Sequence, residues 1–106
     1  MSGAEEGAYA VIFTARRASG AEDGGYADAA ERMAALAEGM PGYLGHDSVR
    51  GADGLGITVS YWRAPADIAR WRAHPDHASV IAAARERGWY VGYESVTARI
   101  ERVARR

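Results

Sequence analysis

Apolar residues recur along the chain in two periods, and the switches between them divide it into elements. Tyr9-Ala-Val-Ile-Phe-Thr-Ala15 is short and rich in β-branched and aromatic residues, so it reads as a strand. Arg16-Arg17 and a Gly/Asp/Glu-rich stretch running to Gly25 end it. From Tyr26 to Met40 the spacing changes. Tyr26, Ala29, Ala30, Met33, Leu36, Ala37 and Met40 follow the i, i+3, i+4, i+7 rule of an amphipathic helix, with Asp28, Glu31 and Arg32 outside the stripe. Gly39 and Pro41-Gly42 stop that helix. Tyr43 to Arg50 and Leu55 to Trp62 follow as two runs, separated by Gly51-Ala52-Asp53-Gly54, whose Asp-Gly pair suits the positive φ angles of a tight hairpin. In the second run Leu55, Ile57, Val59 and Tyr61 alternate with Gly56, Thr58, Ser60 and Trp62, so one face is fully apolar.

Pro65 and Pro75 suit the first turns of two further helices. The first carries Ile68 and Trp71, and the second, over His77 to Arg87, places His77, Val80, Ile81 and Ala84 on one side before Gly88 ends it. Trp89 to Val103 reads as a long last strand whose broken alternation implies a bulge or bend. The order β α β β α (α) β is that of an α+β, ferredoxin-like domain: a four-stranded antiparallel sheet with its helices on one face. Helices on one face cover only that face. The apolar row on the other, worth roughly 25 cal/mol per Å² once buried, calls for a second copy, so a two-fold homodimer with sheets face to face is expected.

Composition narrows the function classes. The 106 residues fit one domain, taken as 9–106 behind a disordered or extended segment 1–8. There is no cysteine, which excludes disulfides, thiolate metal sites and a cysteine nucleophile and fits a cytoplasmic protein. Lysine, asparagine and glutamine are also absent, so a lysine Schiff base and a side-chain carboxamide are out of reach. A formal net charge of −1 offers no general attraction to nucleic acid or to anionic membranes. No apolar run approaches the roughly 20 residues of a membrane span. The acidic, glycine-containing start from Met1 to Gly7 does not read as a signal peptide.

Met40-Pro-Gly-Tyr-Leu-Gly-His46, Gly56-Ile-Thr-Val-Ser-Tyr-Trp62, Ile68-Ala-Arg-Trp71 and Arg72-Ala-His-Pro-Asp-His77 together resemble the antibiotic biosynthesis monooxygenase domain family, over about Tyr9 to Val103. The resemblance implies a dimeric α+β barrel, with a ligand cleft between helices and sheet in each subunit. It also implies a chemically mixed family: cofactor-independent oxygenases of electron-rich aromatic polyketides, haem-degrading monooxygenases, and members of no known activity. Trp62 matches the family's strand-end tryptophan, and Thr58 stands where cofactor-independent members carry an asparagine that polarises the substrate. The haem-degrading branch uses an asparagine, which this chain lacks, and a helical histidine whose position falls near Ile81, one turn from His77.

The candidate site is therefore His77 and Trp62 as catalytic residues, with Trp71, Thr58, Ser60, His74 and Phe13 binding substrate. His77 within an apolar stripe reads as a general base for a phenolic or enolic proton, or as a hydrogen-bonded core histidine. His74, before a proline at a helix start, reads as a cap or turn residue as well as a contact. Trp62 and Trp71 read as an aromatic wall for a flat ligand or as filling between helix and sheet. His46 and Asp47, as successive strand residues, point to opposite faces, and His74-x-x-His77 is too small a set for a metal site, so none is expected. Arg70, Arg72, Arg85 and Arg87 read as a solvated helix face. The expected activity is cofactor-independent oxygenation of a flat, electron-rich aromatic or polyketide-type molecule. A non-catalytic dimer binding a small hydrophobic ligand is the alternative, and haem binding or degradation the third reading.

Overall fold

The computed structural model describes residues 3–20 and 25–106. The elements run β1 (Tyr9–Arg17), α1 (Tyr26–Glu38), β2 (Tyr43–Arg50), β3 (Leu55–Trp62), α2 (Pro65–Ala73), α3 (Pro75–Arg87) and β4 (Tyr90–Arg99). The strands form one sheet in the order β2-β3-β1-β4, antiparallel at every pairing, which is the ferredoxin-like arrangement expected from the pattern. No helix among the described residues is long and apolar enough to cross a membrane. Of the leading segment, Met1 and Ser2 lie outside the described residues, as do 21–24 of the Gly/Asp/Glu-rich stretch. Residues 3–8 are held by backbone bonds, with the Gly7 N–H donating to the Ile100 carbonyl at 2.8 Å and the Ile100 N–H to that of Ala8 at 2.8 Å.

Local chemistry sets the element ends. Pro65 and Pro75 sit in the first turns of α2 and α3, where a missing N–H costs nothing. Gly88 closes α3 in the left-handed conformation, at φ 63°. The hairpin differs in detail from its sequence reading. Only Gly54 takes a positive φ, 92°, and the Gly51 N–H donates to the Leu55 carbonyl at 2.7 Å. This is the longer hairpin loop, a turn closed by one left-handed glycine, with Asp53 accepting from the Leu55 N–H at 3.1 Å. The last strand is shorter than its pattern suggested, because residues 100–106 leave the sheet. Its irregularity lies at the start, where Arg16 pairs with Gly92 and Arg17 with Tyr90, leaving Val91 as the extra residue of a bulge.

Register decides which residues face the helices. Tyr9, Val11, Phe13 and Ala15 lie opposite Trp62, Ser60, Thr58 and Gly56, and share the covered face with them. Two small cores form there. Val11, Ala37, Trp62 and Ile68 pack at one end, and Tyr26, Ala29, Ala84 and Trp89 at the other. The opposite face carries Ile12, Val59, Ile57, Val49 and Val96, and no helix covers it. On it Val49 is 70% exposed, Ile57 40% and Val96 40%.

The connection into β2 depends on one backbone position. Gly42 has φ +80°, its carbonyl accepts from the Arg63 N–H at 2.8 Å, and a Cβ there would fall 2.2 Å from the Asp67 carboxyl group. Asp67 is itself held by Arg70 at 2.7 Å. Gly42→Ala combines a disfavoured conformation with a clash, so a loss of about 1–3 kcal/mol is expected, read as a lower urea midpoint at unchanged m-value.

Candidate active site at the Trp62, Trp71 and His77 rings

Trp62 ends β3 pointing under the helices and is the one fully sealed large side chain among the described residues, at 0% exposure. Its indole N–H donates to Ser60 Oγ at 2.9 Å, a buried bond two residues back on the same strand face. Trp71 comes down from α2 and stacks on it, with centroids 4.9 Å apart and planes at 29°. His77, from the first turns of α3, meets the Trp71 ring edge-on at 4.7 Å and 77°. Three elements thus bring Trp62, Trp71 and His77 into one run of rings. The two indoles lie against each other, so a flat ligand has no slot between them and must meet the Trp71–His77 side.

His77 is half-buried. That burial pushes its imidazole below the ordinary histidine range, and the Arg72 guanidinium pushes it the same way, so the ring is neutral at pH 7. Arg72 does more than coat a solvated face: it reaches across to β4, where its Nη2 donates to Thr97 Oγ1 at 3.3 Å. Thr97 lies beside Val11 in register, and Val11 beside Ser60, so Arg72 anchors on the same cross-strand row as the bond that holds Trp62. The Trp71 indole nitrogen is buried without a hydrogen-bond partner among the described residues. Together these place a neutral base and a cation near one another, beside a sealed indole N–H.

The remaining candidates are less closely gathered. Thr58 lies on the covered face but shares its hydroxyl with Ser48 at 3.0 Å. Phe13 sits opposite Thr58 in register and packs into an aromatic group with Tyr90 at 5.6 Å and Tyr93 at 5.7 Å. His74 caps α3, its Nδ1 accepting from the Asp76 N–H at 3.1 Å. His46 and Asp47 do point to opposite faces, yet His46 is on the same side as Trp62 and bonds through Nδ1 to the Tyr43 hydroxyl. Residues three apart in a regular strand face opposite ways. Here a register shift between Tyr43 and Gly45 adds a residue, and Gly45 at φ 145° accommodates it. The glycine was the sequence signal for that irregularity. Among the described residues no group of three or more His, Asp or Glu side chains is placed to hold a metal ion.

Residues 8–83 match the family model described as antibiotic biosynthesis monooxygenase. The chain belongs to that family. Within the family it is similar to the uncharacterized protein YqjZ of Bacillus subtilis (strain 168), with 48% identity over 97 residues that cover 92% of this chain and 80% of YqjZ. Among solved structures, it superposes on a variant of SnoaB, a cofactor-independent oxygenase from Streptomyces nogalater, with a TM-score of 0.77. That match has 15% identity and covers 92% of this chain and 96% of SnoaB. Rv0793 of Mycobacterium tuberculosis gives 0.77 at 15% identity, covering 92% of this chain and 99% of its own. At such identities these structures speak for the fold alone, and they agree with the antibiotic biosynthesis monooxygenase topology traced above.

The depressed His77 has a measurable signature in stability. As pH falls below about 6.5, the unfolded chain takes up a proton at this residue before the folded one does, so folding weakens down to the folded value and is level below it. Urea midpoints measured across pH 7 to 4.5 should fall more steeply for the parent than for His77→Leu. Parallel curves would remove the burial reading.

Proposed function

We propose that this member of the antibiotic biosynthesis monooxygenase family is a cofactor-independent oxygenase acting on a flat, electron-rich aromatic or polyketide-type molecule, with His77 as the general base. The observation that carries this reading is the neutral, half-buried His77 set edge-on to Trp71 with the Arg72 guanidinium near it. A phenol or enol lying on the exposed side of Trp71 gives its proton to His77. The resulting electron-rich anion passes one electron to oxygen, and the two radicals combine at carbon. Arg72 favours the anion. Thr58, in place of the carboxamide that the family resemblance implies, supplies at most a hydroxyl donor. Ser60 and Trp62 act through position, fixing the plane on which Trp71 rests. Haem fits poorly, because the helical position that would ligate iron holds Ile81, which has no donor atom.

With dithranol, a hydroxylated anthracenone, as probe, the parent protein should consume oxygen without added flavin, nicotinamide or metal. His77→Ala should lower kcat about a hundredfold or more while leaving probe affinity within a few-fold. The parent's rate should rise with pH to a plateau reached by neutrality, a limb absent from the variant. Unchanged turnover in His77→Ala would exclude this base. Binding without turnover in the parent would favour the non-catalytic ligand-binding reading.

We also propose that the working unit is a homodimer closed through the helix-free face. Val49, Ile57 and Val96 are exposed there in a single chain, beside Ile12 and Val59. A stable pair needs about 800 Å² from each partner, which a four-stranded face is large enough to provide. Light scattering at micromolar concentration should give twice the 11.4 kDa chain mass, and Val96→Asp should give the single-chain mass. A monomeric parent would refute the assignment.

A further inference from the structure

The run of rings continues past Trp62. Beyond Trp62, Tyr43 meets the indole edge-on with centroids 5.6 Å apart and planes at 74°, and the Tyr43 hydroxyl is hydrogen-bonded to Nδ1 of His46, which is exposed. Trp71, Trp62 and Tyr43 thus form a contiguous path from the last turn of α2 to the β2 edge of the sheet, with steps of 4.9 and 5.6 Å. The ends of the path differ in what they can do with a proton. The Trp62 N–H faces only a serine hydroxyl, a poor base, so an electron lost from this indole leaves a cation that keeps its proton and stays strongly oxidising. The Tyr43 hydroxyl is paired with an imidazole nitrogen, which in the tautomer protonated at Nε2 can take the proton as the electron leaves.

We propose that Trp71, Trp62 and Tyr43 are a conduit that carries one-electron oxidising equivalents away from the Trp71–His77 side, with His46 receiving the Tyr43 proton at the surface. The physiological need rests on the oxygenase reading above, in which a peroxyl-class radical straying from its reaction partner is the oxidant. That radical takes one electron from Trp71 and one proton from solvent, becoming a hydroperoxide. Trp62 refills Trp71, and Tyr43 refills Trp62. The phenolic proton moves to His46 Nδ1, leaving a neutral phenoxyl radical beside an imidazolium. Both indoles end unchanged. The imidazolium returns its proton to water, and an external one-electron donor such as a thiol or ascorbate reduces the phenoxyl. Burial and the Glu38 carboxylate raise Tyr43 above the ordinary phenol range, so it enters the path protonated and its oxidation must release a proton.

Other aromatic residues are less suited to end such a path. Tyr26, Trp89, Tyr90, Phe13 and Tyr93 form a separate group at the far end of the sheet. Tyr61 donates to Asp47 at 3.3 Å but lies on the opposite sheet face from Trp62. Both alternatives can be tested directly.

The chain has no cysteine, so Ala73→Cys, at the exposed end of α2, accepts a single ruthenium polypyridyl photo-oxidant two residues from Trp71. Flash oxidation with a soluble electron-acceptor quencher should give a tryptophan radical that decays into a phenoxyl radical, seen by transient absorption and by electron paramagnetic resonance. Tyr43→Phe should lower the phenoxyl yield several-fold and lengthen the tryptophan signal to match. His46→Gln, which can keep a hydrogen bond but not the base, should slow phenoxyl formation, and added imidazole should restore it. Circular dichroism of each variant checks that the fold is retained. An undiminished phenoxyl signal in Tyr43→Phe, its loss in Tyr61→Phe or Tyr93→Phe, or no tryptophan radical in the labelled parent would each overturn the conduit. The measurement uses neither substrate nor turnover, so its failure is separate from failure of the His77 mechanism.

Discussion

The stack of Trp71 on Trp62 is the contact that fixes the helical layer over the site. α2 has nine residues, too few to be stable alone, and Ile68 is its one buried side chain besides the stacked indole. Its place on the sheet is therefore set by Ile68 and Trp71, and Trp71 can be set only because Trp62 is already fixed. Trp62 is fixed twice, by complete burial and by the bond from its N–H to Ser60. His77 then follows. α3 starts immediately after α2 across His74, so the placement of its first turns beside Trp71 is governed by the same stack. A change that loosened the indole pair would move His77, Trp71 and Arg72 together.

The one-sided sheet imposes a second constraint. Helices cover one face with small residues, chiefly alanines, and the two cores they make stand at opposite ends of that face. Through the Val11 end runs a mixed row, His46, Ser60, Val11 and Thr97 across β2, β3, β1 and β4, in which each polar side chain has a partner from above or beside it. This row is where polar chemistry is possible inside an otherwise apolar layer. The face left over is apolar and bare, and so suited to association. Division of labour between the two faces follows from the strict alternation of β3, since a one-residue slip would exchange Trp62 and Ser60 for Val59 and Tyr61.

Much of this was legible before any coordinates. The α+β order, the alternation of β3 and the proline-led starts of α2 and α3 are local signals, and the structure follows them. The run of Trp62, Trp71 and His77 was legible as a set because strand parity and helical spacing turn them toward the same layer. What the pattern could not convey depends on register and reach. His46 joins Tyr43 only through the extra residue at Leu44, which a strict period of two does not contain. Arg72 looked like one of several solvated arginines because its target, Thr97, is 25 positions away and adjacent only after β4 docks on β1. The mutual stacking of the two indoles, which shuts the slot a flat ligand would enter, is likewise a matter of tertiary contact rather than spacing.

Arg72 bears on the proposed proton transfer in two opposing ways. Its charge disfavours the imidazolium, which is one cause of the depressed His77, and by the same sign it favours a phenolate or enolate beside Trp71. While the proton stays on His77 the two effects act against each other, and the guanidinium gains the reaction little. Once the proton leaves for solvent only the attraction to the anion is left, and burial, the larger cause of the depression, speeds that loss. The arrangement therefore suits a base that hands its proton on rather than one that holds it. A half-exposed histidine can do this, whereas a sealed core histidine cannot.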